Sequence, residues 1–200
     1  MIETIKHLDT QLLLFLNGLH APWLNKIMVN ISAIPTWFPL YILLIYLVIK
    51  NYKKNSIWVL AGVILLIVCS DQLSSHTIKP LVQRLRPCYT PNLEDILHLP
   101  GGKAGGLYSF TSSHAANTFA LATYIFLALK KYYKHIGWYM FTWCTVVSYS
   151  RIYLGVHFPG DIICGAILGT LVALLIWKLE NYAFKIGRTK YAQKTLADNN

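Results

Sequence analysis

Three short stretches, well separated along the chain, gather basic, hydroxyl and imidazole side chains. In KPLVQRLRP, Lys79 is followed after six residues by Arg86 and Pro87. Lysine and arginine carry positive charge and only hydrogen-bond donors, and the guanidinium fork matches two oxygens of a phosphate. A basic pair at the end of an apolar helix also has a plainer use, anchoring the helix at the membrane surface. The second stretch, TSSH, places Thr111, Ser112, Ser113 and His114 where an apolar run begins. A helix starting there offers free backbone N–H groups and a positive dipole end, an anion site to which the hydroxyls add a cap or a phosphate contact. His114, in the first turn, is placed to hand a proton to a leaving group. The third stretch, SRIYLGVHFPGD, supplies Ser150, Arg151, His157 and Asp161. Asp161 can accept from one imidazole nitrogen of His157, which fixes the tautomer and leaves the other nitrogen free to attack phosphorus. A lone His and Asp at this spacing are structural more often than catalytic, so the weight lies on all the stretches converging at one face.

Convergence depends on the elements that carry them. The chain has 200 residues, 55% hydrophobic and only 13% charged, with a mean hydropathy of +0.44. Soluble domains carry about 25% charged residues, so the composition is that of a membrane protein. We expect an all-α, polytopic membrane helix bundle, one domain over residues 1–200 with its chemistry inside 79–161. Its length suits about five or six transmembrane helices and one functional loop. Apolar runs mark spans at 33–49, 56–78, 113–129, 136–154 and 161–179. Ahead of them, Ile2, Ile5, Leu8, Leu12, Phe15, Leu16 and Leu19 fall at helical spacing, with Glu3, Lys6, His7, Asp9, Thr10 and Asn17 largely on other faces. This is an N-terminal amphipathic helix lying in the interface or, as the alternative, a further span. It lacks the pattern of a cleavable signal.

The formal net charge is +10. On so apolar a chain it marks cytoplasmic loops and anionic ligands rather than nucleic acid. Lys53 and Lys54, Lys131 and Lys134, and the tail cations Lys178, Lys185, Arg188, Lys190 and Lys194 define a cytoplasmic side. The long loop at 79–112 and the short one at 155–160 then share the opposite side. There Lys79, Arg84, Arg86, Lys103 and nearby Arg151 break the rule locally, and bound phosphate supplies a reason. The long loop, rich in proline and glycine, reads as a structured or mobile lid.

Asp71 lies within a span, where an acid needs a partner. Its spacing to Ser75 and Lys79 puts the three on one helix face and gives Asp71 a supporting role behind Lys79. Gly165 and Gly169 suit close helix packing within the chain. Cys69, Cys88, Cys144 and Cys164 read as small core residues, and His20, His76 and His98 receive no catalytic role.

These motifs resemble the signatures of the type 2 phosphatidic acid phosphatase family, related in fold to vanadium haloperoxidases. The family's K-x6-RP, PSGH and SR-x5-H-x3-D stand here as KPLVQRLRP, TSSH and SRIYLGVHFPGD in the same order, and the likeness runs over about residues 56–180. The first and third match fully. In the second, Thr111 and Ser113 replace proline and glycine, so a side chain stands where the family has none. The resemblance implies a metal-independent, cofactor-free lipid phosphatase. By it, His157 forms a phosphohistidine, Asp161 orients it and His114 protonates the departing oxygen. Lys79, Arg86 and Arg151 hold the phosphate oxygens with Ser112 and the backbone N–H of Ser113.

Around TSSHAANTF and LFLNGLHAPWL the chain resembles short envelope-lipid phosphatases of Gram-negative bacteria. That implies the bacterial inner membrane, a site facing the periplasm, and lipid A as substrate, at its 4'-phosphate. Undecaprenyl diphosphate comes next, then phosphatidylglycerophosphate or phosphatidate. A function of another class, a silent lipid-phosphate binder or transporter, would keep the same pocket, but the intact His157, Asp161, His114 and Arg151 speak against it. Nothing in the residues sets an oligomeric state.

Overall fold

The computed structural model describes the backbone of residues 2–103 and 105–197 and the side chains of residues 3–103 and 105–183. The side chains of the tail cations Lys185, Arg188, Lys190 and Lys194 thus lie outside the described residues. Among the described residues the regular structure is helical, apart from one isolated antiparallel bridge between Leu85 and Tyr108.

Helix α1 (Ile2–Gly18) is amphipathic, and it is turned with its apolar stripe outward. Ile5, Leu8, Leu12 and Phe15 are exposed, whereas Asn17 is buried. Asn17 donates to the carbonyls of His98, Ile152 and Tyr153 and accepts from the His98 N–H, which ties α1 to the long loop and to the helix before His157. The same inward face buries Leu13 completely, so α1 docks through an apolar contact and a satisfied amide together, while the rest of its apolar stripe is left to lipid.

Helix α2 (Pro22–Ser32), with proline in its first turn, leads through a 3-10 turn (Ile34–Trp37) into α3 (Phe38–Tyr52). At Lys53, with φ +51°, a tight 3-10 turn (Lys53–Asn55) sends the chain into α4 (Ser56–Asp71), which packs against α3. A π-helical stretch (Gln72–Ile78) and a last turn, α5 (Lys79–Val82), prolong α4 until Gln83 ends it in a left-handed conformation. The long loop therefore begins later than residue 79, and Lys79 is held by a helix. The last three helices are α6 (Ser113–Leu129), α7 (Ile136–Tyr153) and α8 (Pro159–Ala197). Two stretches, Ile34–Val82 and Pro159–Ala183, are long and apolar enough to cross a membrane.

Helix α6 is the axis of the fold. Ala115, Ala116, Ala120, Ala122, Tyr124 and Leu129 on it are shut off from the surroundings, and α4, α7 and α8 surround it. In a bilayer no hydrophobic force drives helix against helix, so close van der Waals approach decides the packing, and small residues allow it. Here a Cβ on Gly169 would stand 2.0 Å from the Ala116 carbonyl oxygen, and one on Gly165 would stand 2.5 Å from that of Ser112. The small pair works within the chain, pressing α8 onto α6 so that the starts of both helices meet. The cysteines form no disulfide, and Cys88 and Cys144 are buried.

Replacing Gly169 by leucine should lower stability by about 1–3 kcal/mol through overpacking. Unfolding in detergent checks this, with Gly18→Ala, where nothing lies within 4 Å, as the unperturbed reference. Equal midpoints for the two variants would contradict the close approach.

Candidate active site

The chain runs from α7 into α8 through a turn that buries an imidazole. Arg151 occupies the last turn of α7, and the Val156 N–H donates to its carbonyl at 3.1 Å. Gly155 adopts φ +66°, a left-handed conformation that a side chain would strain. His157, 1% exposed, follows, and Pro159 opens α8 with its fixed φ. Asp161, wholly buried in the first turn of α8, accepts from the Phe158 N–H at 2.9 Å and from Arg84 Nη1 at 3.0 Å.

Nε2 of His157 lies 3.1 Å from Arg86 Nη1. A guanidinium only donates, so Nε2 accepts and the ring proton sits on Nδ1. Nδ1 faces Asp161 Oδ2 at 3.5 Å, an ion-pair distance longer than a hydrogen bond. Burial first, and then the positive charges of Arg86, Arg151 and Lys79, push the His157 pKa well below its ordinary value. The imidazole is therefore neutral at physiological pH and keeps a lone pair on Nε2, the form a nucleophile requires.

Arg86 is held by backbone rather than by acids. Its Nε donates to the Gly106 carbonyl at 2.9 Å and its Nη1 to that of Val156 at 3.2 Å. The extended segment around it pairs with the loop's return, Arg86 N–H to Leu107 and Ser109 N–H to Arg84. Arg151 donates from Nη1 to the Ser32 hydroxyl on α2, while its buried Nε has no protein partner.

Ser112 caps α6, its hydroxyl accepting from the Ala115 N–H at 3.3 Å while its own N–H donates to the Asp161 carbonyl at 3.1 Å. Ser113 has a different use. Its hydroxyl accepts from Lys79 Nζ at 2.8 Å and lies 2.7 Å from that of Ser75, which donates to Asp71 Oδ1 at 3.2 Å. Asp71 thus reaches Lys79 through two hydroxyls rather than directly, and the π-helical stretch carries Ser75 between them.

Lys79, Arg86, Ser113, His114, Arg151 and His157 line one cavity of about 460 Å³, closed on another side by Gly101, Gly102 and Lys103 of the long loop. Asp161 and Ser112 stand behind this wall, the first against His157 and the second capping α6. Asp71 lines a second, mostly apolar cavity of about 440 Å³ that shares Ser113 and His114 with the first. His98 stacks on His20 and bonds Asn25, in keeping with a structural role.

The residue missed from the sequence is Arg84, counted there only as one more loop cation. Residues two apart in an extended segment point to one side. The R-x-R spacing was therefore the available signal: Arg86 reaches His157, and Arg84 reaches Asp161 behind it.

Helices, an outward apolar surface and a neutral imidazole in the wall of a cationic cavity define an integral membrane protein that handles small anionic groups. The chain belongs to the PAP2 superfamily, whose model matches residues 56–185. The lipid A 4'-phosphatase of Bacteroides thetaiotaomicron is 37% identical over 171 residues, 84% of this chain and 75% of that protein. The lipid A 4'-phosphatase of Porphyromonas gingivalis is 35% identical over 183 residues, 91% of this chain and 77% of that protein. The crystal structure of Aquifex aeolicus LpxE superimposes with a TM-score of 0.66 at 29% identity, covering 86% of this chain and 95% of that one.

Restoring glycine at position 113 removes the hydroxyl that steadies Lys79. The loss of one hydrogen bond to a charged group, about 1.5–3 kcal/mol at most, should appear as a raised KM for a phosphate ester with kcat within about twofold. An unchanged KM would show that Lys79 needs no such support.

Proposed function

We propose that this PAP2-superfamily phosphatase removes the 4'-phosphate of lipid A by way of a phosphohistidine on His157, with a single domain spanning the inner membrane and its site on the periplasmic face. The observation that carries the reading is the shared cavity: a neutral, fully buried His157 stands in one wall with Lys79, Arg86, Arg151 and His114.

The chemistry follows from that arrangement. A phosphate drawn into the cavity has its oxygens held by Lys79, Arg86 and Arg151, with the backbone N–H of Ser113 at the start of α6 adding a donor. Ser112 contributes by capping that helix end. Engaging Arg86 with phosphate frees Nε2 of His157. Nε2 attacks phosphorus while the bond to the sugar oxygen breaks, and His114, having taken up the proton carried in by a monoanionic phosphate, delivers it to that oxygen as the alcohol leaves. Nδ1–H turns toward Asp161, whose carboxylate offsets the charge growing on the ring. Water, giving its proton to His114, then attacks phosphorus, breaks the N–P bond and releases inorganic phosphate. The fixed cations stabilise the equatorial oxygens in both steps without reorganising.

The lipid part of the reading is supported by the second cavity. It shares Ser113 and His114 with the first and is lined by Leu44, Val48, Leu60, Val63, Leu121 and Ile125, a surface suited to a hydrocarbon chain carried by the phosphate-bearing headgroup. The choice of lipid A is supported by the 35% and 37% identical relatives, both lipid A 4'-phosphatases. Orientation is supported by Lys53, Lys54, Lys131 and Lys134 in the short turns after α3 and α6, at the opposite ends of these helices from the cavity. Five helices, α3, α4, α6, α7 and α8, then cross the bilayer, with α1 lying in the interface.

Purified protein given bis-phosphorylated lipid A should yield a product one phosphate lighter, with mass-spectrometric fragmentation placing the loss at the 4' position. Loss at the 1 position alone, or turnover confined to undecaprenyl diphosphate, would move the substrate assignment. Binding with no turnover on any lipid phosphate would make the chain a binder instead.

In the same assay His157→Ala should stay folded and lose at least about 10³-fold in kcat, as expected when a covalent step is removed. Appreciable residual turnover would refute His157 as nucleophile.

A further inference from the structure

Asp161, the carboxylate behind His157, is not held by Arg84 alone. The guanidinium of Arg84 has two engaged arms: Nη1 donates to Asp161 Oδ1 at 3.0 Å, and Nη2 donates to Asp9 Oδ2 at 2.7 Å. Asp9 lies on α1, outside residues 56–185 matched by the family. Its other oxygen, Oδ1, accepts from the Gly160 N–H at 2.7 Å, in the first turn of α8 and next to Asp161 itself. A Cβ at position 160 would stand 2.8 Å from Asp9 Oδ2, so glycine there is what lets the carboxylate come so close. The guanidinium lies over the Phe158 ring at 3.7 Å. Asp9 and Arg84 are mostly buried, and Asp161 is wholly so. The contacts of Asp9 and Arg84 in this chain of charges join its members to one another and to the turn that carries His157, and Ser109 of the long loop adds a hydrogen bond to Asp161.

We propose that Asp9 is a positioning residue of the catalytic site: by sharing Arg84 with Asp161 and gripping the start of α8, it sets the place and the basicity of the carboxylate that faces His157. An arginine given wholly to Asp161 would draw that carboxylate's charge to itself and weaken it as an acceptor for Nδ1–H. A second acid on the other arm divides the guanidinium, leaves the trio with a net negative charge, and keeps Asp161 available to stabilise the imidazolium character that develops as His157 attacks. The contact with the Gly160 N–H fixes α1 to the same turn, as outer partners of metal-bound histidines fix their tautomer and direction. The helix that lies in the interface thereby completes the site. The inference rests on His157 as nucleophile.

The test uses the full-length protein with its lipid substrate. Asp9→Asn keeps an oxygen for the Gly160 N–H and removes the charge. It should lower kcat and the single-turnover rate of phosphoenzyme formation by about tenfold or more, the scale of such outer-partner losses. KM and the inhibition constant of inorganic phosphate should stay within about twofold, because Lys79, Arg86 and Arg151 are untouched. Arg84→Lys, which keeps a cation but cannot bridge both acids, should show the same split, and the double variant should be no worse than the poorer single one. A wild-type rate in Asp9→Asn, a parallel rise in the phosphate inhibition constant, or losses that multiply in the double variant would overturn the proposal. If Asp9→Asn does not fold, the Arg84→Lys split decides alone. If the wild type itself forms no phosphohistidine at His157, the nucleophile assignment fails, and with it the basis of this one, in a way distinct from a silent Asp9.

Discussion

Fixed positive charge placed beside a neutral, buried imidazole governs the arrangement of everything around it. Arg86, Arg151 and Lys79 donate to neutral acceptors: backbone carbonyls for the first, the Ser32 hydroxyl for the second, whose buried Nε keeps no protein partner, and the Ser113 hydroxyl for the third. Such partners meet the hydrogen-bonding requirement without cancelling charge. The carboxylates stand one layer back, Asp161 behind His157 and Asp71 behind Ser75. Positive potential therefore concentrates in the cavity itself, where it adds to burial in lowering the affinity of His157 for a proton and favours an anion with the same field.

That arrangement is costly to hold in a bilayer, and the packing of α6 on α8 is what holds it. The small residues on both helices bring their first turns together, so the Ser112 N–H can bond the Asp161 carbonyl. Helix N-termini carry partial positive charge. Two of them converging at one end of the bundle add to the side-chain cations without any further ionised group. The long loop returns between them through its extended pairing at Arg86 and Ser109, and this lays Arg84 and Arg86 against the turn that bears His157.

The N-terminal helix shows the same economy of polar contacts. Its outward stripe of Ile5, Leu8, Leu12 and Phe15 suits lipid, and its inward face gives Asn17 to the backbone around His98 and Tyr153 and Asp9 to Arg84 and Gly160. The helix thus presents an apolar side outward and, from its other side, buttresses the turn that carries His157.

By itself the sequence determined the helical class, the extent of α6 and α7 to within a residue or so, and six of the residues that line the cavity, Lys79, Arg86, Ser113, His114, Arg151 and His157. Each of these follows from local facts: apolar runs of fixed length, a capping serine, proline at a helix start, and cations and imidazoles clustered in three motifs. What it left open was set by distance in space rather than along the chain. The turning of α1 with its polar face inward, the use of Ser113 as the link between Asp71 and Lys79, and the bridge from Asp9 through Arg84 to Asp161 join residues tens of positions apart. No periodicity records such pairings. They exist only once Gly165 and Gly169 have let α8 close on α6 and fixed where those side chains end.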